Sequence, residues 1–155
     1  ISVSLTGCVT QYVEPDNGPM AKVTVPKFNS EYKLLGGFSG GAVMLATKGQ
    51  DDCGEFSKIS TTEIGQEDIT VNVSAGSDLF ISVGRFVGNS SCNVVGLFTP
   101  LSGSEYSVEF GNNSKRCGVV VYEKDSNGGK KSTEISRAYA STWDGIKVCT
   151  ERSKL

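Results

Sequence analysis

Three carboxylates, Asp51, Asp52 and Glu55, crowd one short stretch beside Cys53. Carboxylate pairs carry out acid–base hydrolysis and carboxylate clusters hold calcium, so this is the first place to look for chemistry. The stretch lacks the alternating oxygen ligands of a calcium loop. It lies in a polar segment, Lys48 to Gly54, that reads as solvated surface. Ser30 and Lys33 stand at the S-x-x-K spacing of a serine activated by lysine. That chemistry needs the two one helical turn apart, with K-T-G and S-D-N partners, and the chain has neither partner. Gly128-Gly129-Lys130-Lys131-Ser132-Thr133 ends like a phosphate-binding loop but lacks the first glycine at its required spacing, and a turn accounts for it. Histidine is absent. Its absence removes Ser-His-Asp and Cys-His machinery and histidine metal sites. No catalytic residue, no metal and no cofactor is expected, and the chain reads as non-enzymatic.

The bulk composition points the same way. The 155 residues fit one domain, and the net charge of −2 is spread among interspersed acidic and basic residues. No basic stripe marks a nucleic-acid partner. No apolar run is long enough to span a bilayer. Apolar residues make up 37% of the chain and glycine numbers 19, a balance that favours short strands, tight turns and a core reinforced by disulfides.

The five cysteines are Cys8, Cys53, Cys92, Cys117 and Cys149, and no two are spaced C-x-x-C. Zinc ribbons and thioredoxin-type sites are therefore not indicated. Leu5-Thr6-Gly7-Cys8 resembles the bacterial lipobox, in which an aliphatic residue and two small residues precede the cysteine that takes the lipid. That resemblance implies that Ile1 to Gly7 is the tail of a signal peptide and Cys8 the lipidated residue. It also accounts for the odd count, leaving four cysteines for two disulfides in three possible pairings. Ile1, Val3 and Leu5 also alternate with Ser2, Ser4 and Thr6, as an ordinary half-buried strand would. Val9 to Met20, with Pro15, Asn17, Gly18 and Pro19, reads as a flexible tether. Residues 1–20 are thus expected to be signal remnant, anchor and tether, and residues 21–155 the folded domain. By resemblance to sorting patterns in enteric bacteria, Val9 after the cysteine favours the outer membrane, with the domain on the periplasmic face.

The remainder is patterned for strands. Ala21 to Val25, Glu31 to Leu35, Ala42 to Thr47, Ile69 to Val73 and Leu79 to Val83 show the alternation or β-branched content of strands. Ser74-Ala75-Gly76-Ser77 between the last two reads as a hairpin loop. Cys92 to Thr99, Glu105 to Phe110 and Cys117 to Glu123 follow, with turns at Pro100 to Ser104, Gly111 to Lys115 and Asp125 to Lys130. Ser132 to Ile135 is open between strand and helical turn, and Ile146 to Cys149 reads as a closing strand. The expected fold is all-β: a single-domain antiparallel β-sandwich, Greek-key-like or barrel-like.

Ala75-Gly76, Cys92, Phe98-Thr99-Pro100, Gly103-Ser104-Glu105-Tyr106 and Cys117-Gly118-Val119-Val120-Val121 together resemble a group of proteobacterial lipoproteins with small disulfide-bonded β-sandwich domains. The resemblance spans residues 75–121. It implies a location and a fold and brings no activity with it.

Strand order then favours one cysteine pairing. Cys92 and Cys117 begin strands that run the same way with one strand between them, so both start at one end of the domain. Cys53 and Cys149 would tie the polar loop to the closing strand. For binding, Pro100 to Tyr106 presents Ser102, Gly103 and Tyr106 on a loop, and Trp143, with Tyr139 four residues before it, supplies an aromatic surface. The expected function is a membrane-anchored envelope lipoprotein acting as a binding or structural module, its partner another envelope protein. The alternative is a periplasmic inhibitor that inserts the Pro100 to Tyr106 loop into a wall-degrading enzyme such as lysozyme.

Overall fold

Alternating apolar residues along short segments leave these strands one face to bury, and two such sheets close over each other. The computed structural model describes residues 9–28, 31–33, 37–59, 68–112, 116–142 and 145–155. Its strands are β1 (Met20–Pro26), β2 (Glu31–Lys33), β3 (Gly37–Thr47), β4 (Cys53–Glu55), β5 (Ser57–Lys58), β6 (Asp68–Ser74) and β7 (Leu79–Val87). They continue with β8 (Ser90–Phe98), β9 (Glu105–Asn112), β10 (Cys117–Lys124), β11 (Lys130–Thr133), β12 (Ser136–Arg137), β13 (Tyr139–Ala140) and β14 (Lys147–Cys149). One sheet runs β11-β10-β9-β1-β6; the facing sheet runs β12-β8-β7-β3-β2, with β5 also paired to β3. The fold is an all-β sandwich that does not close into a barrel. Among the described strands pairing is antiparallel except between β1 and β9, which run parallel, and an isolated parallel bridge joins Gln11 to Lys58.

The main core lies between the two sheets. Ala21, Val23 and Val25 of β1, Val71 and Val73 of β6, Tyr106 and Val108 of β9 and Val121 of β10 face Val43, Leu45, Leu79, Ile81, Val83 and Phe98. Each buried aliphatic side chain of this kind contributes about 1.5–3 kcal/mol of transfer free energy. The period of two predicted from sequence is thus the period of the core.

A second, smaller core lies on the outer face of the β7–β8 sheet. A three-stranded sheet, β13-β14-β4, packs there and encloses Ala46, Phe56, Phe80, Leu97, Ala138 and Val148. This explains why Leu79 to Val83 is buried at every residue: the odd positions enter one core and Phe80 enters the other. Ser82, also buried, donates its hydroxyl to Asn93 Oδ1 at 2.9 Å.

Two expectations need correction. The Ser74–Ser77 loop does not form a hairpin, because β6 pairs with β1 and β7 pairs with β3 and β8 in the opposite sheet. It is an arch between sheets, like the 99–104 connection beside it, and Gly76 N–H donates to the Pro100 carbonyl at 2.8 Å. The tight hairpin is instead Val87-Gly88-Asn89-Ser90, joining β7 to β8, with Gly88 at φ 58°. Such two-residue turns need positive φ, which glycine reaches without strain.

The second concerns the tether. Val9 to Glu14 lies against the domain, with Tyr12 N–H on the Lys58 carbonyl at 2.9 Å and Lys58 N–H on the Thr10 carbonyl at 2.8 Å. Tyr12 is half-buried and donates its hydroxyl to the Asn72 carbonyl at 2.8 Å. Asn72 in turn reaches Glu14. This segment bridges β5 and β6 and covers an exposed edge that would otherwise offer unpaired backbone groups.

Candidate functional site: a groove between two strand edges

Neither β8 nor β10 is paired along its whole length on its outer side. β11 pairs with Val121 to Lys124 of β10 and then crosses to the other sheet, where β12 pairs with only Gly96 and Leu97 of β8. The crossing is drawn tight at Ile135. A Cβ on Gly96 would stand 2.5 Å from an Ile135 methyl, so only glycine lets the crossing strand lie so close. Beyond the crossing, the chain turns away to pair Tyr139 and Ala140 with Cys149 and Val148.

What remains is an open groove of about 1070 Å³ between the free stretches of β8 and β10. Ile81, Val95, Val119 and Ile135 line its apolar part. The opposite wall carries Tyr139, with the Arg137 guanidinium 5.4 Å and the Arg152 guanidinium 5.1 Å from its ring centroid. Cation–π contact of this kind holds an arginine in place without neutralising it. Both arginines are exposed, and no carboxylate forms an ion pair with either among the described residues. Among the described residues no Asp, Glu or Lys lines the groove. On a chain of net charge −2 this is a locally positive surface.

The cysteines are paired as strand order favoured, Cys92 with Cys117 and Cys53 with Cys149. Cys92–Cys117 joins the two sheets at one end of the groove, with Cα atoms 6.3 Å apart. Its strands lie in opposite sheets, whereas the sequence reading placed them two apart in a common run. Cys53–Cys149 joins directly opposed residues of β4 and β14. Cys8 and Trp143 lie outside the described residues.

The other candidates are held for structural reasons. Tyr106 is buried and packs on Phe98 at 5.2 Å between ring centroids. Its hydroxyl accepts the Leu101 N–H at 3.0 Å. Such a tyrosine corner braces the connection between sheets, so Tyr106 is not a binding surface. Ser102 and Gly103 are exposed at the tip of that loop.

Asp52 bonds Lys154 at 2.7 Å and lies 3.5 Å from Lys48. The hydrogen bond from Lys154 is the main cause of a carboxyl pKa below its ordinary value. Asp51 accepts the Cys53 N–H at 3.2 Å, and Glu55 is exposed at the end of β4. No metal-binding cluster is present among the described residues.

Asp78 gathers Lys48 at 2.7 Å and the Thr99 hydroxyl, so its carboxyl is held below the usual range, chiefly by the Lys48 hydrogen bond and then by Thr99. Asp125 accepts Asn127 N–H and Gly129 N–H, so a capped turn accounts for the glycine-rich stretch there. Ser30 lies outside the described residues, and Lys33 lies on a strand, not a helix.

Sequence reasoning missed the groove. Arg137, Tyr139 and Arg152 belong to three different elements and are brought together only by the turn of the chain into the third sheet. Compared with known families, curated proteins and solved structures, the chain finds no match.

Proposed function

We propose that this chain is the binding domain of an envelope lipoprotein, anchored at Cys8 on the periplasmic face of the outer membrane, as the residue after the cysteine favours, and not an enzyme. The groove between β8 and β10, positive on one wall and apolar at its base, is where it takes its partner. That groove is the observation that carries the reading. Two disulfides support a domain that matures in an oxidising compartment. Anchoring adds function by concentration: a domain confined to a membrane meets even weak partners at high effective concentration.

Two measurements test this. The first is the intact mass of the protein made from its native precursor and extracted from bacterial membranes. The expected species begins at an acylated Cys8 and gains four protons on reduction; an unlipidated chain retaining Ile1 to Gly7 refutes the anchor. The second places a photo-crosslinking residue at Ser136 or at Thr24, which lies on the far sheet. Partners captured from Ser136 and not from Thr24 support the groove, and equal capture from both removes it.

The inhibitor reading keeps one supporting observation. The 99–104 loop is braced by Tyr106, by Gly76 on Pro100 and by Gly103 N–H on the Met20 carbonyl, yet Leu101 at its tip is 57% exposed. A rigid loop with an apolar tip is preorganised to enter a cleft. Turbidity assays of wall hydrolysis with added lysozymes decide it: inhibition lost in Leu101→Asp supports this reading, and no slowing of any lysozyme ends it.

A further inference from the structure

One side of the groove is a strand edge, and this says what shape of partner fits. β10 is paired by β9 from Cys117 to Glu123, whereas β11 covers only Val121 to Lys124. Cys117, Gly118, Val119 and Val120 therefore offer one side of their backbone to no strand among the described residues. Beside Gly118 nothing lies within 4 Å of where a Cβ would stand, and Val120 is 41% exposed. An uncharged stretch of edge that no described strand pairs is a template for another strand. Elsewhere the segment from Thr10 to Glu14 lies against β5 and β6, and β12 covers Gly96 and Leu97 of β8.

We infer that the groove binds an extended acidic peptide segment of a partner protein, which adds as a strand to the open Cys117–Val120 edge of β10 and continues the line that β11 leaves. This rests on the groove being the binding surface. In an added strand alternate side chains point to one face. Those pointing inward fill the apolar part formed by Val119, Ile135, Val95 and Ile81. A carboxylate on the segment meets Arg137 and Arg152, which have no acidic partner among the described residues and are held in place by Tyr139. Backbone pairing supplies affinity, and the arginines and the apolar base supply selection, as in other cases of strand addition.

The test uses the intact oxidised protein and short linear peptides selected on it from a random display library, then synthesised with a fluorescent label. Selected peptides are expected to alternate apolar residues with Asp or Glu. The double substitution Arg137→Glu with Arg152→Glu should weaken them by on the order of tenfold or more, because it turns attraction into repulsion. The paired Gln substitutions should give an intermediate loss, with an unchanged circular dichroism spectrum showing that the fold is intact. N-methylation at alternate peptide positions should abolish binding at those facing β10 and spare the ones between. Amide exchange within 117–120 should slow on binding.

Peptides that depend on the arginines but tolerate N-methylation at every position overturn strand addition and leave the groove reading standing. Peptides indifferent to the arginines, or a library that yields no binder, overturn both.

Discussion

The two disulfides close loops of very different length, and this gives a prediction that can be worked before it is measured. Cys53 and Cys149 are 96 residues apart, Cys92 and Cys117 only 25. In the chain-entropy relation these closures stabilise by about 4.7 and about 3.5 kcal/mol at 25 °C. Replacing each pair by alanine should therefore cost more at Cys53–Cys149, by about 1.2 kcal/mol on entropy alone. Burial acts in the same direction, since Cys53 and Cys149 are both buried whereas Cys92 and Cys117 are partly exposed. With a domain stability of roughly 0.05–0.15 kcal/mol per residue, both variants should still fold. Urea unfolding followed by far-ultraviolet circular dichroism reads the result. At a slope of about 2 kcal/mol/M the midpoints should fall by about 2.3 M and about 1.7 M. Equal shifts, or a larger loss at Cys92–Cys117, would refute the loop-length reasoning. A separate early transition in the Cys53→Ala/Cys149→Ala variant would show instead that the bridge's main task is to hold the third sheet over Phe80.

Three further outcomes follow from single side chains. Tyr106→Phe keeps the ring on Phe98 but leaves the Leu101 N–H without its acceptor, and should cost about 1 kcal/mol in the same unfolding assay. The Tyr12 phenol is pushed up to about 12, first by burial and then by Glu14. A raised folded-state value means stability is complete below the ordinary value of 10.0 and lost as pH climbs from there towards 12; one tyrosine should ionise late in an ultraviolet titration, and Tyr12→Phe should remove that late step. Asp78 is depressed by Lys48 and Thr99, so its contribution is present above the ordinary carboxylate value of 3.8 and fades as pH falls through its lower folded value. Asp78→Asn should flatten that part of the acid limb in thermal melts recorded between neutral pH and pH 2, and an unchanged limb would contradict the assignment.

Strands were legible in the sequence because alternation records which face of a strand is buried. Val23 and Val25, Val71 and Val73, and Ile81 and Val83 all entered the core their spacing indicated. Alternation does not record which sheet a strand belongs to. A glycine at positive φ serves an arch between sheets as well as a hairpin within one, so Gly76 looked like a hairpin residue. Two clues to the true arrangement were present. Gly88-Asn89 is a two-residue hairpin signal. Leu79-Phe80-Ile81-Ser82-Val83 places Phe80 on what should be the solvent face, which marks a strand covered on both sides. The docked segment was misread because proline and glycine at 15–19 coloured the whole stretch, while Tyr12 carried the contact.

The groove could not be read from sequence because it is made of missing pairings. Nothing in Cys117-Gly118-Val119-Val120 announces an open edge; it is open because β11 stops at Thr133 and the chain must cross to reach Gly96. That crossing depends on a glycine small enough to admit Ile135. The same departure carries Arg137 and Tyr139 to the opposite wall, where the chain's last turn brings Arg152. Cys92–Cys117 then ties the two free edges together where no strand does. A covalent tie at that place keeps the sheets from parting without closing the edge, so the opening is held in shape while its backbone groups stay available. An edge left open and stapled is what the proposed strand addition requires.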